Sequence, residues 1–338
     1  MKESEKKLSK TVFSRAPVRI CDIGGWTDTW FYPNGAVFNF CVDLYNYVMI
    51  KENFVNKIRI HSENLDLSTQ LKSFEEVQYN GELDLLKAVI KRMKINDGID
   101  INIRSEVPPG CGTGTSASVC VALIAALYAY LEKPIVPLEV AKIAHEIEID
   151  ELKMQSGVQD QYAAALGGLN FMEITYPSVK ISNIKISKRK RFELENSLII
   201  LLFGTRSSNQ MHKAVIENYM KGDMKIKDSL DILKNCAYKM RDAINKDLVE
   251  IGNVMNQNWD AQKNLHPLMT NDTIMKAEKI AKKYDAHGFK CNGAGGGGSA
   301  TILANSDHIF SFEKELIEEG YKILPCKLCF DGVFSYIK

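Results

Sequence analysis

A chain of 338 residues, 45% hydrophobic and 25% charged, has the composition of a folded globular protein and the length of about two domains. Its 43 basic residues nearly cancel its 42 acidic ones, which gives no electrostatic reason to expect nucleic acid or an anionic membrane as partner and leaves a small molecule as the expected ligand. Residues 1–10 are charged without an apolar core, and no apolar run reaches the ~20 residues that span a bilayer, so the cytoplasm is the expected compartment.

In chain order, hydrophobic patterning predicts strands at Val37–Ile50 and Ile99–Ile103, an apolar helix at Ser116–Leu131, a second helix at Leu138–Ile149, and a strand at Leu169–Ile174 entered through Gly167 and Gly168. The charged stretch Lys185–Glu195 reads as a linker or as one solvent-facing strand, and a domain boundary is placed near residue 190. An apolar strand at Ser197–Phe203 follows, then helices near His212–Met220, Met224–Ile244 and Thr273–Tyr284. The eight cysteines are scattered, mostly among apolar neighbours as Cys41 and Cys120 are, and read as reduced core thiols. Cys326 and Cys329 have the spacing of half a zinc or redox site, but no second pair accompanies them, so they too read as structural.

The strongest chemical signal is the run Pro108, Pro109, Gly110, Cys111, Gly112, Thr113, Gly114, Thr115, Ser116, Ala117, Ser118. Three glycines at alternate positions let the backbone approach a ligand, and the helix that follows aims its free amides and positive dipole end at the loop. That is a cradle for an anion. Thr115, Ser116 and Ser118 add hydroxyls suited to capping amides or to a magnesium ion bridging phosphates. With no lysine before the hydroxyl residues it is not a Walker loop, and its glycines are too evenly spaced for a dinucleotide fingerprint. An ordinary flexible turn with a Ser/Thr cap would not need three alternate glycines followed by four small residues.

Together with Arg15, Ala16, Pro17, Val18, Arg19 and Gly24, Gly25, Trp26, Thr27, Asp28 near the N-terminus, and Gly293, Ala294, Gly295, Gly296, Gly297, Gly298 near the C-terminus, this loop resembles the three motifs of the GHMP kinases. That superfamily holds galactokinase, homoserine kinase, mevalonate kinase and phosphomevalonate kinase. The motifs stand in the family's order from residue 15 to residue 299, so the resemblance covers nearly the whole chain. Gln159–Ala165 with Gly167 and Gly168, and the Gly-Gly-x-Thr-Asp form of the first motif, are most similar to the D-glycero-D-manno-heptose 7-phosphate kinases, with fucokinases and arabinokinases close behind. Trp26 departs towards the fucokinases, since heptose kinases more often carry a third glycine there.

The resemblance implies a two-domain α+β fold, with an N-terminal domain like the second domain of ribosomal protein S5 over residues 1–190 and a ferredoxin-like domain over 191–338. It implies ATP and magnesium as cofactors and a sugar or sugar phosphate, phosphorylated at a hydroxyl such as anomeric O1, as the small-molecule substrate; a homodimer is the assembly to look for. Pro109, Gly110, Cys111, Gly112, Thr113, Gly114, Thr115, Ser116 and Ser118 would bind ATP. The family's catalytic aspartate falls on Asp160, an acid among small uncharged neighbours that helix-terminal preference also suits. Arg19 lies in the apolar stretch Val18–Ile23, so its charge needs a specific partner such as Asp160, either to stabilise charge at the γ-phosphate or as a structural ion pair. Glu148, twelve residues before Asp160, matches the family's magnesium ligand alongside Ser116, with Glu146 and Glu151 competing on spacing alone.

In the acceptor site the family places Asp28, with Thr27 and Gly25 beside it; an Asx turn is the plainer reading of Asp28. Trp26 would stack on a pyranose face or simply pack. Gly295 and Gly296 would permit close backbone approach, or form a flexible turn. Arg206 and Lys290 are candidates to meet a sugar's remote phosphate, or else surface charges. Two other readings share the scaffold: a silent sensor of ATP and sugar, and a kinase of a non-sugar alcohol, against which residues 24–28 argue.

Overall fold

A computed structural model of the chain describes residues 10–204 and 209–338; Arg206 lies outside the described residues. The chain opens with two long strands, β1 (Thr11–Ile23) and β2 (Asn34–Glu52), followed by the hairpin β3 (Ile58–Ser62) and β4 (Leu67–Leu71). In β1, buried and half-buried residues alternate as far as Ala16, and from there to Ile23 both faces are covered. Arg19 and Asp22 are therefore carried into the interior by the strand itself.

Next come α1 (Asp84–Met93), β5 (Ile99–Ser105), α2 (Thr115–Tyr130), α3 (Pro137–Glu146), α4 (Gln159–Leu166), β6 (Leu169–Thr175) and β7 (Ser178–Ile184). Helix α2 is apolar on all sides, as a helix must be when it lies against a sheet and beneath other helices. Proline at its first turn starts α3. Instead of running on to Ile149, α3 gives way to a single π-helical segment, Ile147–Glu151, which carries Glu148 inward.

The charged stretch before residue 195 is neither linker nor strand but the helix α5 (Lys188–Glu195), capped by Ser187 and laced by the i,i+4 pairs Arg189–Glu193 and Arg191–Glu195 while Leu194 is buried. The remaining elements are β8 (Leu198–Gly204), α6 (Asn209–Met220), α7 (Met224–Ala243), α8 (Leu248–Lys263), α9 (Asp272–Lys283), β9 (Gly288–Cys291), β10 (Gly298–Leu303), α10 (Ile309–Glu318), β11 (Lys322–Leu324) and β12 (Phe334–Ile337).

Among the described residues the strands form two sheets, giving an α+β architecture. The larger runs β12-β1-β2-β5-β3-β4, with β6 and β7 extending from β2, and is antiparallel except where β3 lies parallel to β5. The smaller is antiparallel in the order β11-β8-β10-β9. The position chosen for a boundary, residue 190, falls inside α5, and β12 returns to pair with β1 from Val12–Ile337 to Arg15–Phe334. One apolar cluster joins Val18, Ile20, Phe38 and Phe40 to Ile200, Cys236, Met240 and Met255, so the two sheets are cemented across α7 and α8. Cys329 is buried in a separate cluster with Val37, Cys41 and Met172, its thiol donating to the Asp331 carbonyl at 3.1 Å.

Candidate active site

The three glycine motifs converge on one cavity of about 820 Å³. In its wall the loop before α2 puts Gly110, Gly112 and Gly114 at φ of 76°, 75° and 71°, left-handed angles that only glycine takes without strain. Gly114 is also the entry to α2, and a Cβ built on it would stand 3.1 Å from Cγ of Asp160. The carbonyls of this loop are tied inward: Cys111 accepts from the Ser299 hydroxyl at 2.7 Å, Gly112 from the Arg19 guanidinium, and Thr113 from the Arg19 backbone amide at 3.1 Å. Carbonyls held on the protein leave amides for an anion. Thr115 and Ser116 line the cavity, and Ser116 is exposed to it. Ser118 is a correction to the expected set: it lies one turn in, is buried, and donates its hydroxyl to the Ala16 carbonyl at 2.9 Å. Thr113 is likewise buried, its hydroxyl 3.1 Å from that of Thr115.

Opposite the loop, the Arg19 guanidinium grips Asp160 with two bonds, Nε to Oδ1 at 2.7 Å and Nη2 to Oδ2 at 3.0 Å. Such a fork is the strongest pairing these groups make. Burial opposes the charge on Arg19, but Asp160 and then Asp22 outweigh it and raise its pKa. Asp160 sits in the first turn of α4, so the helix-terminal preference and the ion pair coexist.

Glu148 is almost fully buried yet lines the cavity, with Oε2 accepting from Gln161 Nε2 at 2.9 Å. Burial first, with Asp160 adding repulsion, pushes its carboxyl up to about 7. The competing acids are engaged elsewhere: Glu146 pairs with Arg92 and Glu151 with Lys91. The buried Oε1 of Gln161 has no hydrogen-bond partner. One hydroxyl, one carboxylate and an orphaned amide oxygen facing a phosphate cradle fit magnesium, which is commonly bound by one or two carboxylates plus phosphates and water.

Asp28 closes the other side of the pair. It does not form an Asx turn; its Oδ2 accepts from the Gln159 backbone amide at 3.1 Å, joining the β1–β2 connection to α4. Burial, then repulsion from Asp160, moves its carboxyl up to about 6. Its expected neighbours behave differently. Thr27 is wholly buried and donates to the Gly24 carbonyl at 2.8 Å, while Gly25 turns back on Asp22; neither reaches the cavity. Gly295 and Gly296 pack on Leu268 and Met269, leaving Gly293 and Ala294 as the part of the third motif in the cavity wall. Trp26 does line the cavity, but its ring packs edge-on to His212 at 4.7 Å within a cluster containing Phe31, Tyr32 and Val215, and its Nε1 donates to the Ala294 carbonyl at 3.3 Å. Lys290 is no surface charge: it is fully buried with Nζ 2.9 Å from Asp22 Oδ1.

Sequence reasoning missed Asp22, Lys153, His212 and Lys213, all in the cavity wall. Asp22 was open to the argument applied to Arg19, since both are charges in one apolar strand. Surface lysines such as Lys153 and Lys213 give no comparable signal.

Residues 84–168 match the model of the GHMP kinases N terminal domain. Motifs, matched domain and fold agree: residues 84–168 are a GHMP kinase N-terminal domain, and the chain is a phosphotransferase with an alcohol group as acceptor. The chain is 29% identical to the D-glycero-alpha-D-manno-heptose 7-phosphate kinase of Campylobacter jejuni, covering 97% of this chain and 99% of that one. It is 24% identical to the bifunctional fucokinase/GDP-fucose pyrophosphorylase of Arabidopsis thaliana over 90% of this chain and 31% of that longer protein. The fold matches a D-glycero-D-manno-heptose 1-phosphate kinase from Bacteriodes thetaiotaomicron with a TM-score of 0.79 and 24% identity, over 96% and 98% of the two chains. Among the described residues no helix is long and apolar enough to cross a membrane.

Proposed function

We propose that this chain transfers the γ-phosphoryl group of ATP to a hydroxyl, anomeric O1, of a sugar phosphate, with D-glycero-D-manno-heptose 7-phosphate as the best candidate. The observation that carries the reading is the Arg19–Asp160 fork set against the glycine loop at Gly114. As the acceptor oxygen bonds to the γ-phosphorus and the bond to the β,γ-bridging oxygen breaks, the hydroxyl proton passes to Asp160 and ADP leaves. Arg19 faces the charge that builds on the transferred group, and Asp28 holds an acceptor hydroxyl. Ser116 and Glu148 would hold magnesium, which supplies charge neutralisation at the phosphates when bound.

Of the cations first considered for a remote phosphate, Lys290 is consumed by Asp22, and the cavity offers Lys153 and Lys213 in its place, the latter only loosely paired to Glu217 at 3.9 Å. The test is ADP release over a panel of heptose 7-phosphate, the same heptose without phosphate, fucose and a uronic acid, in the wild type and in Lys153→Ala/Lys213→Ala. A sugar-phosphate kinase loses most of its efficiency when either the remote phosphate or the two lysines are removed. Preference for unphosphorylated fucose, untouched by the lysine changes, supports the second reading that Trp26 favours. ATP binding without ADP release on any sugar would leave the silent sensor.

A further inference from the structure

The first strand carries an irregularity that the chemistry above does not use. β1 and β2 shift register once between Pro17–Tyr45 and Val18–Val42, pair on to Ile20–Phe40, and resume after a second break at Ile23–Phe38. In the gap Cys21 takes a φ of 49°, a strained angle for a residue with a Cβ. The strained turn is held in place: the Cys21 amide donates to Asn292 Oδ1 at 2.8 Å, and Asn292 in turn donates to the Ser299 hydroxyl at 2.9 Å. Its effect is to take Asp22 out of the ladder and place it in the cavity wall beside Arg19.

There the two carboxylate oxygens have different fates. Oδ1 accepts from Lys290 Nζ at 2.9 Å and from the Gly293 amide at 2.9 Å. Lys290 also donates to the Cys291 carbonyl at 2.7 Å, which fixes its ammonium in turn. Oδ2 lies above Gly25, where a Cβ would come within 2.6 Å of it, so glycine is what gives that oxygen its place. A buried ion pair is a poor way to stabilise a fold, because desolvation of both charges opposes the attraction. A bulge, a strained residue and a two-point anchor around one carboxylate instead suit an oxygen aimed at a ligand.

Resting on the sugar-kinase reading, we propose that Asp22 is an acceptor-binding residue: Lys290 and the Gly293 amide orient its carboxylate so that Oδ2 accepts a hydrogen bond from a second hydroxyl of the sugar, beside the one held by Asp28. The ligand class this selects is a polyol presenting two hydroxyls to two carboxylates.

Asp22→Asn alone strands the Lys290 ammonium, so the main test is Asp22→Asn/Lys290→Met, which removes both charges and keeps an oxygen for the Gly293 amide. The KM for the acceptor rises about 10- to 100-fold, the range of one charge-assisted hydrogen bond. The KM for ATP stays within about threefold. A series of deoxy acceptors supplies the reading that a structural role would not move: one deoxy sugar loses affinity for the wild type by the same factor, and loses no more in the double variant. Gly25→Ala leaves both charges and only crowds Oδ2; it raises the acceptor KM in the same direction, and it carries the test if the double variant does not fold. An unchanged acceptor KM, a parallel rise for ATP and acceptor, or no deoxy position coupled to Asp22 overturns the proposal while wild-type sugar turnover keeps the broader reading intact. A wild type that phosphorylates no sugar overturns both.

Discussion

Replacing Asp160 by asparagine separates its proposed chemistry from its structural part. The substitution keeps the side chain's shape and one hydrogen-bond acceptor for Arg19, but removes a charge and a proton acceptor. Breaking a buried pair by deleting one partner costs about 3–5 kcal/mol when the remaining charge is left alone. Arg19 is not left alone: Asp22 and Asp28 still act on it, Gly112 still accepts from it, and the Asp160 side chain is 26% exposed to begin with. The stability loss therefore falls below that range, and the fold survives. Catalysis has no such reserve, since among the described residues no other carboxylate is both forked to Arg19 and set against Gly114. Turnover falls by about two to four orders of magnitude, or roughly 3–5 kcal/mol of transition-state stabilisation. The assay is ADP release at saturating ATP and sugar, beside direct binding of ATP, which is retained because the glycine loop is anchored independently by Ser299 and the Arg19 backbone. Turnover within threefold of wild type refutes the assignment.

Asp28 gives a pH test with a definite sign. Its carboxyl is raised from 3.8 to about 6, so the fold prefers it protonated; the stability this provides is complete below pH 4 and is lost as pH climbs through about 6, a difference of about 3 kcal/mol. Asp28→Asn accordingly raises the melting temperature of the ligand-free protein at pH 8 and leaves it unchanged near pH 4, and equal melting at pH 8 refutes the burial argument. In the wild type, kcat/KM for the acceptor declines as pH drops below about 6, because a protonated Asp28 no longer offers a carboxylate to the sugar. Ser116→Ala and Glu148→Gln each raise the magnesium concentration needed for half-maximal rate, and an unaltered magnesium dependence in both places the ion on other groups.

Much of this site is legible in sequence because its backbone is unusual. Three alternate glycines before a helix of small residues announce an anion cradle whatever surrounds them, and an arginine within Val18–Ile23 announces a buried partner. What the sequence does not carry is depth. Thr27 and Ser118 are hydroxyl residues inside motifs, yet each is spent on a carbonyl of the protein, Gly24 in one case and Ala16 in the other. Lys290 reads as one more lysine until β9 and β1 meet across the two sheets and place it on Asp22. The helix α5 escaped recognition because its charges look like exposure, whereas they pair along the helix and leave Leu194 to the core. Pairings between segments more than 260 residues apart leave no local trace in composition or period.

The charges of the cavity floor sort themselves by what they already hold. Arg19 is taken by Asp160 and Lys290 by Asp22, so both cations are engaged within the protein. Asp28 and Glu148 have hydrogen bonds but no ion pair, Asp28 to the Gln159 amide and Glu148 to Ser156 and Gln161, and these are the two carboxylates that burial raises, to about 6 and about 7. Burial without a counter-charge is unfavourable for a carboxylate, and a fold retains it only where something else requires it. On the proposed reading, a cation at Glu148 and sugar hydroxyls at Asp28 are the partners the reaction brings. The paired acids are thus oriented by the protein before a ligand arrives, the unpaired ones gain their partners from the ligand, and binding on either side of Asp160 offsets a burial penalty that the folded chain otherwise carries alone.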